Sequence, residues 1–228
     1  MQKRLIRKLN LEILLSQIEP HPTPKPSLEQ YTIPADVAAT ILYIAAYTYN
    51  DIIDKTVLDL GCGTGRLALG AAFLGAKQVI GVDIDSTAVR EALRNSKQLG
   101  LKDKVQWVIA DIDVVHGQFD TVLQNPPFGV QKRRADRKFL EKALEVGKSI
   151  YSLHKSSHKD KALLEALKAR GTSTIPVFPS SFIKRFVEEH NGRTRAAYAM
   201  LMTIPRMFSF HTKQRREFLV DLHVLERR

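Results

Sequence analysis

Val57-Leu58-Asp59-Leu60-Gly61-Cys62-Gly63-Thr64-Gly65 decides the fold. A short apolar run gives way to glycines at alternate positions, and Arg66–Leu74 then has helical apolar spacing. Strand, glycine-rich loop, helix is the context in which such a loop holds a ligand. Glycine lets the chain turn sharply and lets a ligand approach the backbone with no Cβ in the way. A dinucleotide fingerprint asks for a small residue where Arg66 stands, and a phosphate loop asks for a Gly-Lys-Ser/Thr that does not follow. S-adenosylmethionine (AdoMet) has no pyrophosphate to cradle and suits this loop; a purely structural turn is the alternative.

Outward from the loop, strands and helices alternate. Thr56–Leu60, Gln78–Val82, Lys104–Ile109, Thr121–Gln124 and Ser149–Ser152 read as strands. Arg66–Leu74, Ser86–Leu99 and Arg137–Val146 read as the helices between them. This alternation predicts an α/β domain, a doubly wound, mostly parallel Rossmann-like sheet. Upstream, Leu5–Ile18 has helical spacing, Pro20, Pro22, Pro24 and Pro26 make an extended linker, and Asp36–Tyr49 reads as a helix. Downstream come a basic amphipathic helix at Lys159–Arg170, a loop at Gly171–Ser181 and a helix at Ser181–His190. Arg195–Thr203 and Glu217–Leu225 complete seven strands as an antiparallel hairpin at the sheet edge, the usual ending of class I AdoMet-dependent methyltransferases. The whole chain, 1–228, reads as one domain, with residues 1–27 its N-terminal helix and linker.

The strand ends carry acids. Asp83, after Gln78–Val82, sits beside the loop and can accept both ribose hydroxyls of a cofactor. Asp85 precedes Ser86 and reads as a helix N-cap. Asp111 can accept an adenine amine while the backbone at Ile112 meets the ring, and Asp59 can sit near a cofactor ammonium. Cys62 reads as a small loop filler, since no basic neighbour lowers its pKa.

The fourth strand ends in Asn125-Pro126-Pro127-Phe128. An exocyclic amino group is a poor nucleophile because its lone pair is delocalised. The Asn125 side-chain oxygen and the Pro126 carbonyl can each accept one of its N–H bonds and turn that lone pair toward an electrophilic methyl. These acceptors strengthen as positive charge develops on nitrogen. Pro126 and Pro127 fix the turn, and Phe128 can stack on a base. The motif by itself asks only for a planar conjugated nitrogen: adenine N6 or guanine N2 in RNA, adenine in DNA, or a protein glutamine amide.

A net charge of +11 and a pI of about 9.8 point to an anionic partner, nucleic acid above all. Lys132, Arg133 and Arg134 follow the motif and would hold phosphates beside a flipped base. Arg137 and Lys138 extend that run, with a solvated helix start as their alternative, and His211, Lys213, Arg215 and Arg216 form a second basic group. A single cysteine forbids an intramolecular disulfide and favours an intracellular, cytoplasmic setting. Apolar runs are broken well before the roughly 18 residues of a membrane span. Met1–Leu15 lacks a signal-peptide core. The seven histidines show no metal spacing.

From about Lys25 to Leu225 the chain resembles the methyltransferase-like family that makes N6-methyladenosine in small-subunit ribosomal RNA of archaea and eukaryotes. The resemblance rests on Leu28-Glu29-Gln30-Tyr31, the Asp59–Gly65 loop, Asp83-Ile84-Asp85, Asn125 to Gly129, and Tyr151-Ser152-Leu153-His154-Lys155-Ser156-Ser157. The last is the most family-specific. The resemblance implies that Gln30 and its neighbours close over AdoMet. It also implies Gly61, Thr64, Asp83 and Asp111 as cofactor contacts, with Gly63 in the same loop, and Asn125 to Phe128 as catalytic. His154, Lys155 and Lys213 join Lys132 to Arg134 as expected RNA contacts. Eukaryotic members of the family work with a small zinc-binding activator that pairs along a sheet edge, which suggests an analogous partner. The chain departs from the pattern at Ile33, where Thr is common, and in the longer stretch Lys161 to Ser181.

Overall fold

Parallel strands whose two faces are both covered need apolar residues at nearly every position. The runs at β1 (Thr56–Leu60) and β4 (Phe119–Gln124) meet that demand. A computed structural model describes residues 5–128, 135–158, 161–170, 174–205 and 215–228. In it β1 pairs in parallel with β2 (Gln78–Asp83) on one side and β4 on the other. Strand β3 (Val105–Ile109) extends the sheet beyond β2, and β5 (Gly147–Lys155) extends it beyond β4, both in parallel. The full order is β3-β2-β1-β4-β5-β8-β7-β6, with β6 at Ile175–Pro176, β7 at Gly192–Pro205 and β8 at Arg215–Arg227.

Side chains alternate between the two faces along each strand. Val57, Leu123, Tyr151 and Leu153 join one core, with α1 (Lys8–Ser16), α2 (Ala35–Tyr43) and α3 (Arg66–Phe73) packed on it. Leu58, Leu60, Val122 and Ile150 join the other, under α5 (Ala135–Val146) and α7 (Ser181–Glu189). Each fully buried aliphatic side chain contributes about 1.5–3 kcal/mol, so the two cores carry the fold. Helix α4 (Ser86–Gln98) lies against β2 and β3. Helix α2 runs on into one π-turn, Ile44–Thr48, and α6 (Lys161–Arg170) follows β5.

The architecture is the doubly wound α/β methyltransferase type, with two corrections. There are eight strands, not seven, because Ile175–Pro176 pairs with Ala199 and Tyr198 of β7. It is too short for any periodicity to mark it, and its proline is tolerated because the strand lies at the edge. The antiparallel pair therefore does not end the sheet: β8 inserts between β5 and β7, and β6 covers β7. The proline-rich stretch read as a linker is fastened to the sheet, as described next.

Candidate cofactor and acceptor site

Strand order reverses between β1 and β4, and in open α/β sheets ligands bind at that point beside the carboxyl ends of the strands. A cavity of about 320 Å³ lies there, within the range for small-molecule sites, about 300–1,000 Å³. The glycine loop forms its floor. Gly65 has φ +91°, and a Cβ there would meet the Trp107 ring at 2.5 Å. Gly61 has φ +71°, and a Cβ there would meet the Phe139 ring at 2.8 Å. At both positions only glycine combines the left-handed turn with the close approach.

Residues 18–33 form a strap across the cavity, pinned at three points. Arg66 Nη2 donates to the Ile18 carbonyl at 2.9 Å and Nη1 donates to the Ile33 carbonyl, so one guanidinium holds both ends. Asn95 of α4 accepts from the Glu19 N–H at 3.1 Å and donates to the Glu19 and Thr64 carbonyls at 3.2 and 3.1 Å, tying strap to loop. Asp85 is the third pin. Its carboxylate caps α4 through the Thr87 N–H, accepts from Gln30 Nε2 at 2.8 Å, and lies 3.2 Å from both His21 Nε2 and Lys25 Nζ. Burial pushes the Asp85 carboxyl up, but Gln30, Thr87 and Lys25 outweigh it and hold it well below the usual carboxylate range. The N-cap expected of Asp85 is present, and the latch is an addition to it. Arg66 served in the sequence only to exclude dinucleotides. A cation at a helix N-terminus opposes the helix dipole, and that was the available signal of a tertiary role.

The cavity brings together Gln30, Asp59, Gly61, Gly63, Thr64, Asp83, Asp111, Ile112, Asn125 and Pro127. Gln30 faces inward with both ends of its amide engaged, since its Oε1 accepts from the Lys25 N–H at 2.8 Å. Asp83 accepts from the N–H groups of Gly63 (2.9 Å) and Asp85 (2.8 Å), and burial raises its pKa against those bonds. Asp111 caps the short turn Ile112–Val114 and meets Lys138 Nζ at 3.0 Å. Lys138 also bridges Asp113 at 2.8 Å, so this exposed cation of the first turn of α5 is tied to the cavity wall. Asp59 is fully buried, accepts the Ala68 N–H at 2.9 Å, and is pushed up to about 7 by burial. Burial also raises the Cys62 thiol well above its ordinary value, in keeping with a filler.

At the end of β4 the four motif residues part company. Asn125 and Pro127 border the cavity; Pro126 and Phe128 do not. The Phe128 ring packs edge-on against Phe218 at 5.9 Å, on the face of α1 and α2, instead of standing free to stack on a base. Asn125 Oδ1 is buried with no hydrogen-bond partner among the described residues. Such an atom costs about 1–3 kcal/mol, and this one lies beside a ligand cavity.

His154 corrects an expectation. It is buried, its Nε2 lies 2.7 Å from Ser152 Oγ, and burial with His223 beside it pushes its pKa down to about 3. Ser152 Oγ accepts from Gln124 Nε2 at 2.8 Å, which leaves its O–H to donate to a neutral His154. A neutral imidazole inside the sheet holds no RNA phosphate. Lys155 is exposed. Lys132, Arg133, Arg134, His211 and Lys213 lie outside the described residues.

The ribosomal protein L11 methyltransferase (PrmA) family model matches residues 38–126, which span the glycine loop and reach Pro126. The chain is 38% identical to an uncharacterized protein of Methanocaldococcus jannaschii over 98% of its length and 95% of that protein. It is 37% identical to the rRNA N(6)-adenosine-methyltransferase Mettl5 of Drosophila melanogaster, over 97% of this chain and 96% of that one. Among solved structures, a candidate RNA methyltransferase of Pyrococcus horikoshii superposes with a TM-score of 0.81 at 35% identity, covering 98% of this chain and 99% of that one. The magnesium protoporphyrin IX methyltransferase of Synechocystis, solved with bound SAH, shares the fold at a TM-score of 0.58 and 18% identity, over 84% and 82% of the two chains.

Proposed function

We propose that this chain, which belongs to the family of the METTL5 rRNA N(6)-adenosine-methyltransferases and is an AdoMet-dependent methyltransferase, methylates the N6 amino group of an adenosine in small-subunit ribosomal RNA. The carrying observation is the unpartnered Asn125 Oδ1 beside the cavity. It is an acceptor in want of an N–H.

The cavity fits AdoMet on its own chemistry. Asp83 offers carboxylate lone pairs beyond those its two backbone partners use. Nothing lies within 4 Å of where a Cβ at Gly63 would stand, so the loop is open on that side. Asp83 would hold the ribose, Asp111 and Ile112 the adenine, and Asp59 the ammonium. When bound, AdoMet supplies an electrophilic methyl group.

Asn125 Oδ1 would accept one N–H of the amino group, and its pull grows as that nitrogen gains positive charge; the Pro126 carbonyl, expected as the second acceptor, does not border the cavity. The turn that carries Asn125 is rigid, since Pro126 and Pro127 fix φ. Gln124, bonded to Ser152, anchors its strand end. Removing water from so buried a site strengthens the amide dipole.

Asp59 gives the site a pH dependence. Its raised pKa of about 7 means the ligand-free carboxyl is largely protonated below that pH. A cation beside it favours the ionised form, so binding at low pH must release the proton. Affinity for AdoMet is therefore expected to rise with pH and level off above 7, roughly tenfold weaker at pH 6 than at pH 8. Calorimetry in two buffers of different ionisation enthalpy reads both affinity and proton release. Constant affinity with no proton released would place the ammonium elsewhere.

Support for an activator comes from the other edge of the sheet. Among the described residues β3 pairs only with β2, and Val108 and Ile109 are 41% and 54% exposed along it. Such an edge is a template for an added strand, and a small zinc-binding protein would supply it.

Small ribosomal subunits from a strain lacking the gene, incubated with the chain and AdoMet, should gain N6-methyladenosine at one site by mass spectrometry. The partner should raise the rate, and Ile109→Asp should cancel that gain. The L11-type match makes a protein acceptor the second reading. Label appearing on protein and not on RNA would decide for it.

A further inference from the structure

Phe178 is 88% exposed, yet its backbone is held. The neighbouring Val177 N–H donates to the Ala197 carbonyl at 2.9 Å, and the His158 ring donates to the Phe178 carbonyl at 3.3 Å. A ring kept in water on a fastened backbone differs from a side chain that has merely failed to find a core. Two chain connections lead from it toward the reacting site. His158 lies just beyond β5, which pairs alongside β4 as far as Gln124, the residue before Asn125. On the other side, Phe182 in the first turn of α7 is 39% exposed, with the Arg137 guanidinium 4.5 Å from its ring centre. Arg137 precedes Lys138 and Phe139, which border the cavity.

Cations lie on the elements that carry these rings, and the nearest acids of α7, Glu188 and Glu189, lie in its last turn. Lys155, Arg137, Lys184 and Arg185 are exposed, while the first turn of α7 holds no acid. Exposed cations and exposed aromatic rings on neighbouring elements are the parts that single-strand recognition uses: the cations hold the backbone and a ring stacks a base.

We propose that Phe178 is a stacking platform for an unpaired nucleotide flanking the target adenosine, with Phe182 under Arg137 as the next step toward the cavity. The platform deepens the RNA reading above and rests on it. An aromatic face is sequence-tolerant, so it would help hold the flanking strand open for the flipped base without choosing the sequence.

Steady-state methyl transfer by the full chain to a synthetic single-stranded RNA that it methylates tests the platform. Phe178→Ala is expected to raise KM for RNA about tenfold or more, with kcat, AdoMet affinity and melting temperature kept. Phe178→Trp should retain the wild-type KM, and Phe178→Leu should lose as much as Ala. An unchanged KM in Phe178→Ala overturns the platform. So does a wild-type KM in Phe178→Leu, which would assign the ring to a generic apolar contact such as a protein partner. A wild-type chain that methylates no RNA overturns the RNA reading and the platform together. Wild-type transfer with an indifferent Phe178→Ala overturns the platform alone.

Discussion

Asn125→Ala is expected to lower the rate of methyl transfer by about 10²–10³-fold, the usual cost of removing one preorganised electrostatic group. AdoMet affinity should stay as it was. Asn125 follows Gln124, whose backbone is in register with Leu60 of β1 and Ser152 of β5 and whose side chain is bonded to Ser152. The amide is therefore placed by the most deeply buried part of the sheet and does not depend on the loop that follows. Stability should move the other way from activity. Oδ1 is buried without a partner, so replacing it by a methyl group removes an unmet acceptor, and the melting temperature should hold or rise. A mutant with lost activity, intact AdoMet binding and undiminished stability is what a reacting-site acceptor produces. Full methyl transfer by Asn125→Ala would remove the catalytic assignment.

The opening loop was legible because its two demands are local. Left-handed backbone and close approach at Gly61 and Gly65 both exclude a Cβ, and both are written as glycine. The strands of the parallel half were legible for a similar reason. Burial on two faces leaves continuous apolar runs, and β1 was found to the residue. What could not be read was tertiary. The prolines of residues 20–26 say that the strap is extended, but its fastening depends on Arg66, Asp85 and Asn95, which lie 33 to 76 residues from the partners they hold. His154 sits in a motif beside a lysine and two serines and looks like a surface contact. Strand alternation instead places it on the face of Ser152, where the β5–β8 pairing buries it opposite Asp221. Phe128 closes the motif, and only the fold reveals that its ring packs against Phe218 on β8. In each case the residue type was visible and the partner was not.

Arg66→Ala is the second large effect expected. Arg66 is half-buried and its pKa is lowered by that burial, with Asp36 acting in the opposite sense. A cation at the first residue of α3 also works against the helix dipole, at about 0.3–1 kcal/mol. Two costs of this kind persist only where the cation does something an apolar side chain cannot. What it does is join Ile18 and Ile33, the two ends of the strap whose interior supplies His21, Gln30 and Tyr31 to the cavity wall. Hydrogen bonds to a charged group are worth about 1.5–3 kcal/mol each. Losing both should therefore cost about 3–6 kcal/mol, divided between global stability and the local closure of the strap. The division is measurable. If the strap closes over the cofactor, Arg66→Ala should weaken AdoMet binding about a hundredfold, more than its fall in melting temperature accounts for, and should open residues 19–32 to limited proteolysis. AdoMet should restore protection only at high concentration, because binding must then supply the closure itself. Arg66→Lys should fall between, since an ammonium lacks the planar fork that reaches two carbonyls at once. Asp85→Ala should give the same pattern from the strap's middle, through His21, Lys25 and Gln30. Equal AdoMet affinity in wild type and Arg66→Ala would make the strap a structural belt with no part in holding the cofactor. Loss of affinity in Arg66→Ala but not in Asp85→Ala would confine the clamp to its ends.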